Sequence, residues 1–187
     1  KLQFRFEGTQ KTRWSNLPSG VFQRQGLRLG DLTPPQRAAV TTLLQAALST
    51  QGYQKVQDIM QGDEVLRQPE AATGRGGPGR GRGGPGGGGG GVVFGRDEYF
   101  LAFLGTPSAT APWMLQFGGH HLAINLTMGG SGASMTPSLP AAQPASYAIE
   151  GRTVRPLGAE NDRAFALINA LDSTQRSQAV LNYRVAD

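Results

Sequence analysis

The chain contains no cysteine and only two histidines. The lack of cysteine excludes disulfide bonds, thiolate metal sites and a cysteine nucleophile. Long apolar runs are missing too, and none reaches the roughly 18 residues that a membrane-spanning helix requires. The sequence therefore predicts a chain without a membrane span. Any metal or acid–base chemistry that uses imidazole depends on two adjacent positions, His120 and His121.

Charge is also scarce, because charged residues make up 17% of the chain and the net charge is +5. Residues 74–91 contain only Gly, Arg and Pro and include 13 of the 28 glycines. Such a tract buries no apolar surface, so we predict a disordered insertion. It has no Phe or Tyr for stacking on bases, and its few arginines neutralise few phosphates. We therefore expect no specific nucleic-acid partner.

The first half of the chain predicts two helices. Thr33 and Gln36 form a capping-box pattern around Pro34, and apolar residues follow at helical spacing as far as Leu48. We expect Gly52 to break this pattern and a second helix to run from about Tyr53 to Arg67. The short connection predicts an antiparallel pair of helices.

The second half predicts strands followed by more helices. A helical pattern resumes at Gly158, and Asp172 or Ser173 is placed to cap a last helix. The order helices, strands, helices favours an α+β fold, with a mainly antiparallel β-sheet packed against flanking helices. We expect a single domain over residues 1–187. The strands are predicted at residues 1–7, 97–105, 113–117, 121–128, 134–137 (a short partner) and 147–154.

The histidines lie in the segment WMLQFGGHHLAINLTM, residues 113–128. In a regular strand, alternation places His121 on one face with Asn125 and Thr127, and His120 on the apolar face. A turn or bulge at Gly118 and Gly119 would instead allow both imidazoles to converge.

A functional interpretation makes His121, His120 and Asn125 catalytic. Imidazole titrates near neutral pH and acts as an acid, a base or a metal ligand. A second group, Trp113, Gln116 and Thr127, would bind substrate around them. The alternative is that both histidines are structural and hydrogen-bonded at the start of a strand.

A metal site on His120 and His121 would hold zinc or copper and would need a third ligand from elsewhere. The spacing of the acidic residues selects none of them. The candidates for this third ligand are Asp97, Glu98, Glu150, Glu160 and Asp162.

Several motifs together resemble a family of unknown function, DUF3500. The motifs are WSNLP (14–18), GLRLGDLTPPQR (26–37), LLQAALSTQGYQKVQDIM (43–60), EYFLAFLGTPS (98–108), WMLQFGGHHLAINLT (113–127), TPSLPAAQPA (136–145) and ALDSTQRSQAVL (170–181). The resemblance implies a protein exported from bacteria to the periplasm or the exterior, with its signal sequence removed and more chain after Asp187. It places the family's GHH on residues 119–121 and supplies no reaction.

Two functions follow as expectations. The first is an exported protein with an acid–base or metal-assisted site at GGHH. The second is a non-catalytic binding or assembly protein whose partner is another protein chain or a second copy. In the second case the sheet edge, the irregular arm at residues 8–30 and the Gly/Arg loop would supply contact surfaces.

Overall fold

The computed structural model describes residues 1–67 and 92–181. It divides into two compact units, residues 1–156 and residues 157–187. The Gly/Arg/Pro tract at residues 74–91 lies outside the described residues, so its disorder remains a prediction. The single domain expected over residues 1–187 also remains a prediction.

Two helices form in the first unit, α1 (Pro34–Ala47) and α2 (Thr50–Arg67). The predicted capping box is present, and the Thr33 N–H donates to Gln36 Oε1 at 2.9 Å. The prediction that Gly52 interrupts the helices is wrong. The Ser49 hydroxyl accepts a hydrogen bond from the Gly52 N–H at 3.1 Å, as a capping residue does, so Gly52 lies within the first turn of α2.

Six strands form one mixed sheet: β1 (Gln3–Phe4), β2 (Leu27–Arg28), β3 (Phe100–Leu104), β4 (Trp113–Gly118), β5 (Leu122–Gly129) and β6 (Gly132–Pro140). They are arranged in the order β1-β3-β4-β5-β6, and β2 also pairs with β3. Only the β1–β3 pair is parallel. The predicted α+β class and mainly antiparallel sheet are confirmed.

Two strand predictions need correction. The partner expected at residues 134–137 is the nine-residue strand β6, because pairing with β5 continues from Gly129 to Leu122. The strand expected at residues 147–154 is a separate hairpin of β7 (Tyr147–Ile149) and β8 (Arg152–Val154). Glu150 and Gly151 form its turn with positive φ angles of 49° and 73°.

The main sheet is covered on both faces. One face carries Leu101, Phe117 and Ile124 and packs against Val56 and Ile59 of α2. The opposite face carries Ala102, Leu104 and Met114, against which Phe4 and Phe6 of the amino-terminal segment pack. A side chain that follows the alternation of these strands therefore points either toward the helices or toward the amino-terminal arm.

The second unit contains α3 (Gly158–Ala170) and α4 (Ser173–Ala179). Asp172 caps α4, and its Oδ1 accepts a hydrogen bond from the Gln175 N–H at 2.8 Å, as the sequence predicts. Across residues 1–67 and 92–181, no helix is both long and apolar enough to cross a membrane.

Candidate functional site

His120 and His121 form the loop between β4 and β5. The last residue pair of the two strands is Gly118 with Ala123, and the Gly119 N–H donates to the Leu122 carbonyl at 2.8 Å. The hairpin therefore turns at the two histidines. Their ring centroids lie 3.9 Å apart, with 52° between the ring planes. The imidazoles converge, as expected for a turn at GGHH.

The His121 ring is bound to a buried carboxylate. Its Nδ1 makes a short hydrogen bond with Asp63 Oδ1, and Asp63 Oδ2 accepts a hydrogen bond from the Tyr99 hydroxyl at 2.7 Å. The side chains of Asp63 and Tyr99 are fully buried, and His121 is 7% exposed. Burial, followed by the charge of Asp63, raises the pKa of Tyr99 well above its usual range, so this phenol stays protonated and donates.

The His120 ring is half-buried and has a different partner. Its Nδ1 makes a short hydrogen bond with the carbonyl oxygen of Asn16 in the amino-terminal arm. The ring centroid lies 5.3 Å from that of Phe94. Burial, followed by the neighbouring His121, lowers the pKa of His120. The neutral imidazole is therefore the favoured form of His120 at neutral pH.

These contacts select the same tautomer for both neutral rings. A backbone carbonyl accepts but never donates, so Nδ1 of His120 carries the hydrogen. An ionised Asp63 likewise only accepts, which places a hydrogen on Nδ1 of His121. In the neutral form of each ring, Nε2 then keeps its lone pair. The hairpin thus holds two adjacent imidazoles with Nε2 as the basic nitrogen of each.

The hairpin tip is fixed from several sides. A Cβ on Gly119 would lie 2.8 Å from the ring of Tyr99, so only glycine fits there. The Gly119 carbonyl accepts a hydrogen bond from Nη2 of Arg24 at 2.7 Å, and the His121 carbonyl accepts one from the Ala141 N–H at 2.7 Å. These contacts hold the two rings in one arrangement.

The face assignment made from strand alternation is wrong. His121 binds Asp63 of α2 on the helical side of the sheet, whereas Asn125 bonds to Gln116 toward the amino-terminal arm. The strand β5 begins at Leu122, so alternation does not extend to His121. For the same reason His120 does not continue the apolar face and instead lies at the half-buried tip.

The other predicted site residues lie away from the histidines. Asn125 and Gln116 are register partners in β5 and β4 and share a hydrogen bond of 3.0 Å. Trp113 begins β4, at the end of the hairpin opposite the tip, and its indole N–H donates to the Ser108 carbonyl at 3.0 Å. Thr127 pairs with Met114 near that same end. Their predicted roles in catalysis and substrate binding remain predictions.

As a metal site, the histidine pair offers two nitrogen ligands. Zinc in proteins takes three or four protein ligands. Within the described ranges no group of three His, Asp or Glu side chains could hold an ion. Asp97 and Glu98 instead bind Arg37 and Arg28. Glu150 lies in the β7–β8 turn, and the remaining candidates, Glu160 and Asp162, belong to α3.

Sequence reasoning missed Asp63 and Tyr99, although one signal was present. Asp63 continues the stripe of α2 that Val56, Ile59 and Met60 form at helical spacing, and all four are buried. An acidic residue on the apolar face of a helix requires a buried partner. The sequence does not reveal which partner this is, because His121 lies 58 positions away.

Comparison with known proteins yields a family. The profile described as a protein of unknown function (DUF3500) matches residues 1–187, the whole chain. The chain belongs to the DUF3500 family. No curated protein and no solved structure matches it. The resemblance expected from the GGHHLAINLT and TPSLPAAQPA motifs is confirmed, and the family itself supplies no reaction.

Proposed function

We propose that the β4–β5 hairpin of this DUF3500 protein is an acid–base site in which His120 and His121 divide the two proton-transfer roles. The observation that carries the proposal is the pinning of both Nδ1 atoms by acceptors, with the two rings 3.9 Å apart. In this proposal the Nε2 atoms of the two rings act on one reacting group. Acid–base catalysis requires this kind of positioning before any substrate binds.

The environments of the two rings differ in the way that separate acid and base roles require. His120 is held neutral by burial and by its neighbour, so it is the base that takes a proton from water or a substrate hydroxyl. His121 is hydrogen-bonded through Nδ1 to the Asp63 carboxylate, and we assign it the role of the acid.

Ester hydrolysis is the simplest reaction that tests this division. His120 would deprotonate the attacking water, and His121 would protonate the departing oxygen. We expect esterase activity that falls about 100-fold or more in His120→Gln, His121→Gln and Asp63→Asn. Asp58→Asn is the matched control, because it makes the same chemical change on α2 at a carboxylate that accepts a hydrogen bond from Gln54 and contacts neither histidine. Activity equal in the wild type and the His121→Gln variant, with both folded, would refute the proposal.

A binding or assembly role is the second candidate, favoured by the 7% exposure of His121. On this reading the Tyr99–Asp63–His121 chain stabilises the hairpin, and the partner is another protein chain or a second copy. A variant that loses residues 8–30 would then lose the partner while His121→Gln would lose stability. Light scattering and pull-down from the native host distinguish this role from catalysis.

A metal-assisted reaction is tested separately by elemental analysis of protein purified without a histidine tag. Zinc or copper near one equivalent, lost in the folded His120→Gln/His121→Gln double variant, would assign the two Nε2 atoms as ligands.

Export to the periplasm or the cell exterior also belongs to the proposal and is supported by family resemblance alone. Fractionation of the native host tests it, and recovery in the cytoplasmic fraction would refute it.

A further inference from the structure

A second polar cluster lies on the sheet face opposite α1 and α2, beneath the amino-terminal arm. The arm and strands β3, β4 and β5 line a partly open cavity of about 40 Å³, whose lining includes Gln10, Arg24, Gln116 and Asn125. This volume accommodates a few non-hydrogen atoms. The cluster is distinct from the Asp63–His121 pair, which lies on the helical side.

Three side-chain amides in this cluster form a hydrogen-bonded series in which each NH₂ group donates toward Pro137. Asn125 Nδ2 donates to the Pro137 carbonyl at 2.8 Å, so Asn125 Oδ1 is left to accept from Gln116 Nε2 at 3.0 Å. Gln116 Oε1 in turn accepts from Gln10 Nε2 at 3.0 Å. Because a carbonyl only accepts, the orientation of every amide is set from the Pro137 end.

This hydrogen-bonded series of amides ends at Gln10 Oε1, an acceptor atom that has no donor within the described ranges. Gln10 is 7% exposed, and its Oε1 is buried without a hydrogen-bond partner in the described part of the chain. Buried polar atoms in folded proteins are almost always paired, and leaving one unpaired is costly. Exchanging the positions of the Gln10 amide oxygen and nitrogen would not remove the problem, because the oxygens of Gln10 and Gln116 would then face each other without a hydrogen between them.

Arg24 also lines this cavity and carries a donor left unpaired by the residues that the structure describes. Its Nη2 lies within hydrogen-bonding distance of the carbonyls of Ser15, Leu17 and Gly119. Its Nη1 is buried and has no partner among residues 1–67 and 92–181. Desolvation lowers the pKa of Arg24, although an arginine remains charged at neutral pH. The charges of Asp63 and Glu98 act on this half-buried guanidinium, but its hydrogen bonds in the described residues go to neutral carbonyls, which leaves Nη1 able to bind an anion.

The charges of the side chains that line the cavity also favour a negatively charged ligand. Among the described residues that line the cavity are two arginines, Arg13 and Arg24, and no carboxylate. We propose that this cavity is a binding site for a small carboxylate that also carries a hydroxyl or amino group. The carboxylate accepts from Arg24 Nη1, and the hydroxyl or amino group donates to Gln10 Oε1.

Glycolate and acetate are the probes that test the proposal, because they differ in the hydroxyl group that Gln10 would bind. Ligand-observed and protein-observed NMR titrations of the whole chain measure both affinities. We expect glycolate to bind roughly tenfold or more tightly than acetate, as the gain of one hydrogen bond to a buried acceptor implies. Gln10→Leu should abolish this preference, and Arg24→Gln should weaken both ligands. Arg5→Gln is the matched control, since it removes one exposed charge from the segment that precedes the arm, outside the cavity.

The variants are checked for folding by circular dichroism, and Arg24→Lys replaces Arg24→Gln if the latter does not fold. The proposal is overturned by equal affinities for glycolate and acetate in the wild type, or by a preference that survives in Gln10→Leu. It is also overturned by a crystal structure with saturating glycolate in which only a water molecule bridges Gln10 Oε1 and Arg24 Nη1. These readouts measure binding, so they stand or fall independently of the acid–base site.

Discussion

The substitution Asp63→Asn tests the contact that organises the histidine site. Asp63 is 1% exposed and accepts hydrogen bonds from the Tyr99 hydroxyl and from Nδ1 of His121. Asparagine has the same shape, but it removes the charge from both hydrogen bonds and turns an NH₂ group toward one donor. A hydrogen bond to a charged group contributes about 1.5–3 kcal/mol, against about 0.5–1.5 kcal/mol for a neutral one. We therefore expect a loss of about 2 kcal/mol in the free energy of unfolding.

Urea denaturation at pH 7 and 25 °C, followed by circular dichroism, measures this loss. Asp58→Asn provides the control on the same helix, because Asp58 is only partly buried and its carboxylate accepts one hydrogen bond from Gln54, at 2.8 Å. We expect the control to lose less than about 0.5 kcal/mol. The reasoning is refuted if Asp63→Asn loses no more stability than Asp58→Asn, because a fully buried carboxylate with two donors should contribute more than a partly buried one.

Three further predictions concern the hairpin and helix α1. The pKa of His120 is lowered in the folded protein, so the unfolded chain binds more protons as the pH falls below about 6.5, and stability is lost in that range. His120→Gln should flatten this part of the curve of urea midpoint against pH; an unchanged curve would contradict it. Gly119→Ala should cost about 1–3 kcal/mol because its Cβ would press on Tyr99, whereas Gly132→Ala, with open space around it, should cost less than about 1 kcal/mol. Thr33→Ala should cost about 1 kcal/mol by removing the cap of α1, and an unchanged thermal midpoint would show that the cap contributes nothing.

Features that depend on neighbours in sequence could be predicted. The capping box at Thr33 and Gln36 and the cap at Asp172 follow from residues three positions apart, and both are present. The strands β4 and β5 and the turn between them follow from apolar alternation and glycine. These local patterns were sufficient for the α+β class.

Features that depend on topology could not be predicted. The first residue of β5 decides which way His121 points, and a shift of one residue reverses the face. The pairing of His121 with Asp63, and that of His120 with Asn16, join segments 58 and 104 positions apart. The sequence shows an acidic residue on the apolar stripe of α2, but only the packing of α2 on the sheet identifies its partner.

The tautomers of the two imidazoles test the central claim most directly. The chain has only two histidines, so the long-range ¹H–¹⁵N NMR spectrum of the labelled protein contains two rings, which His120→Gln assigns. At pH 9 the account predicts that the hydrogen of each neutral ring lies on Nδ1, as the contacts with Asn16 and Asp63 require. A neutral His121 with its hydrogen on Nε2 would contradict the account, because its basic nitrogen would then be Nδ1, which faces Asp63 rather than a substrate.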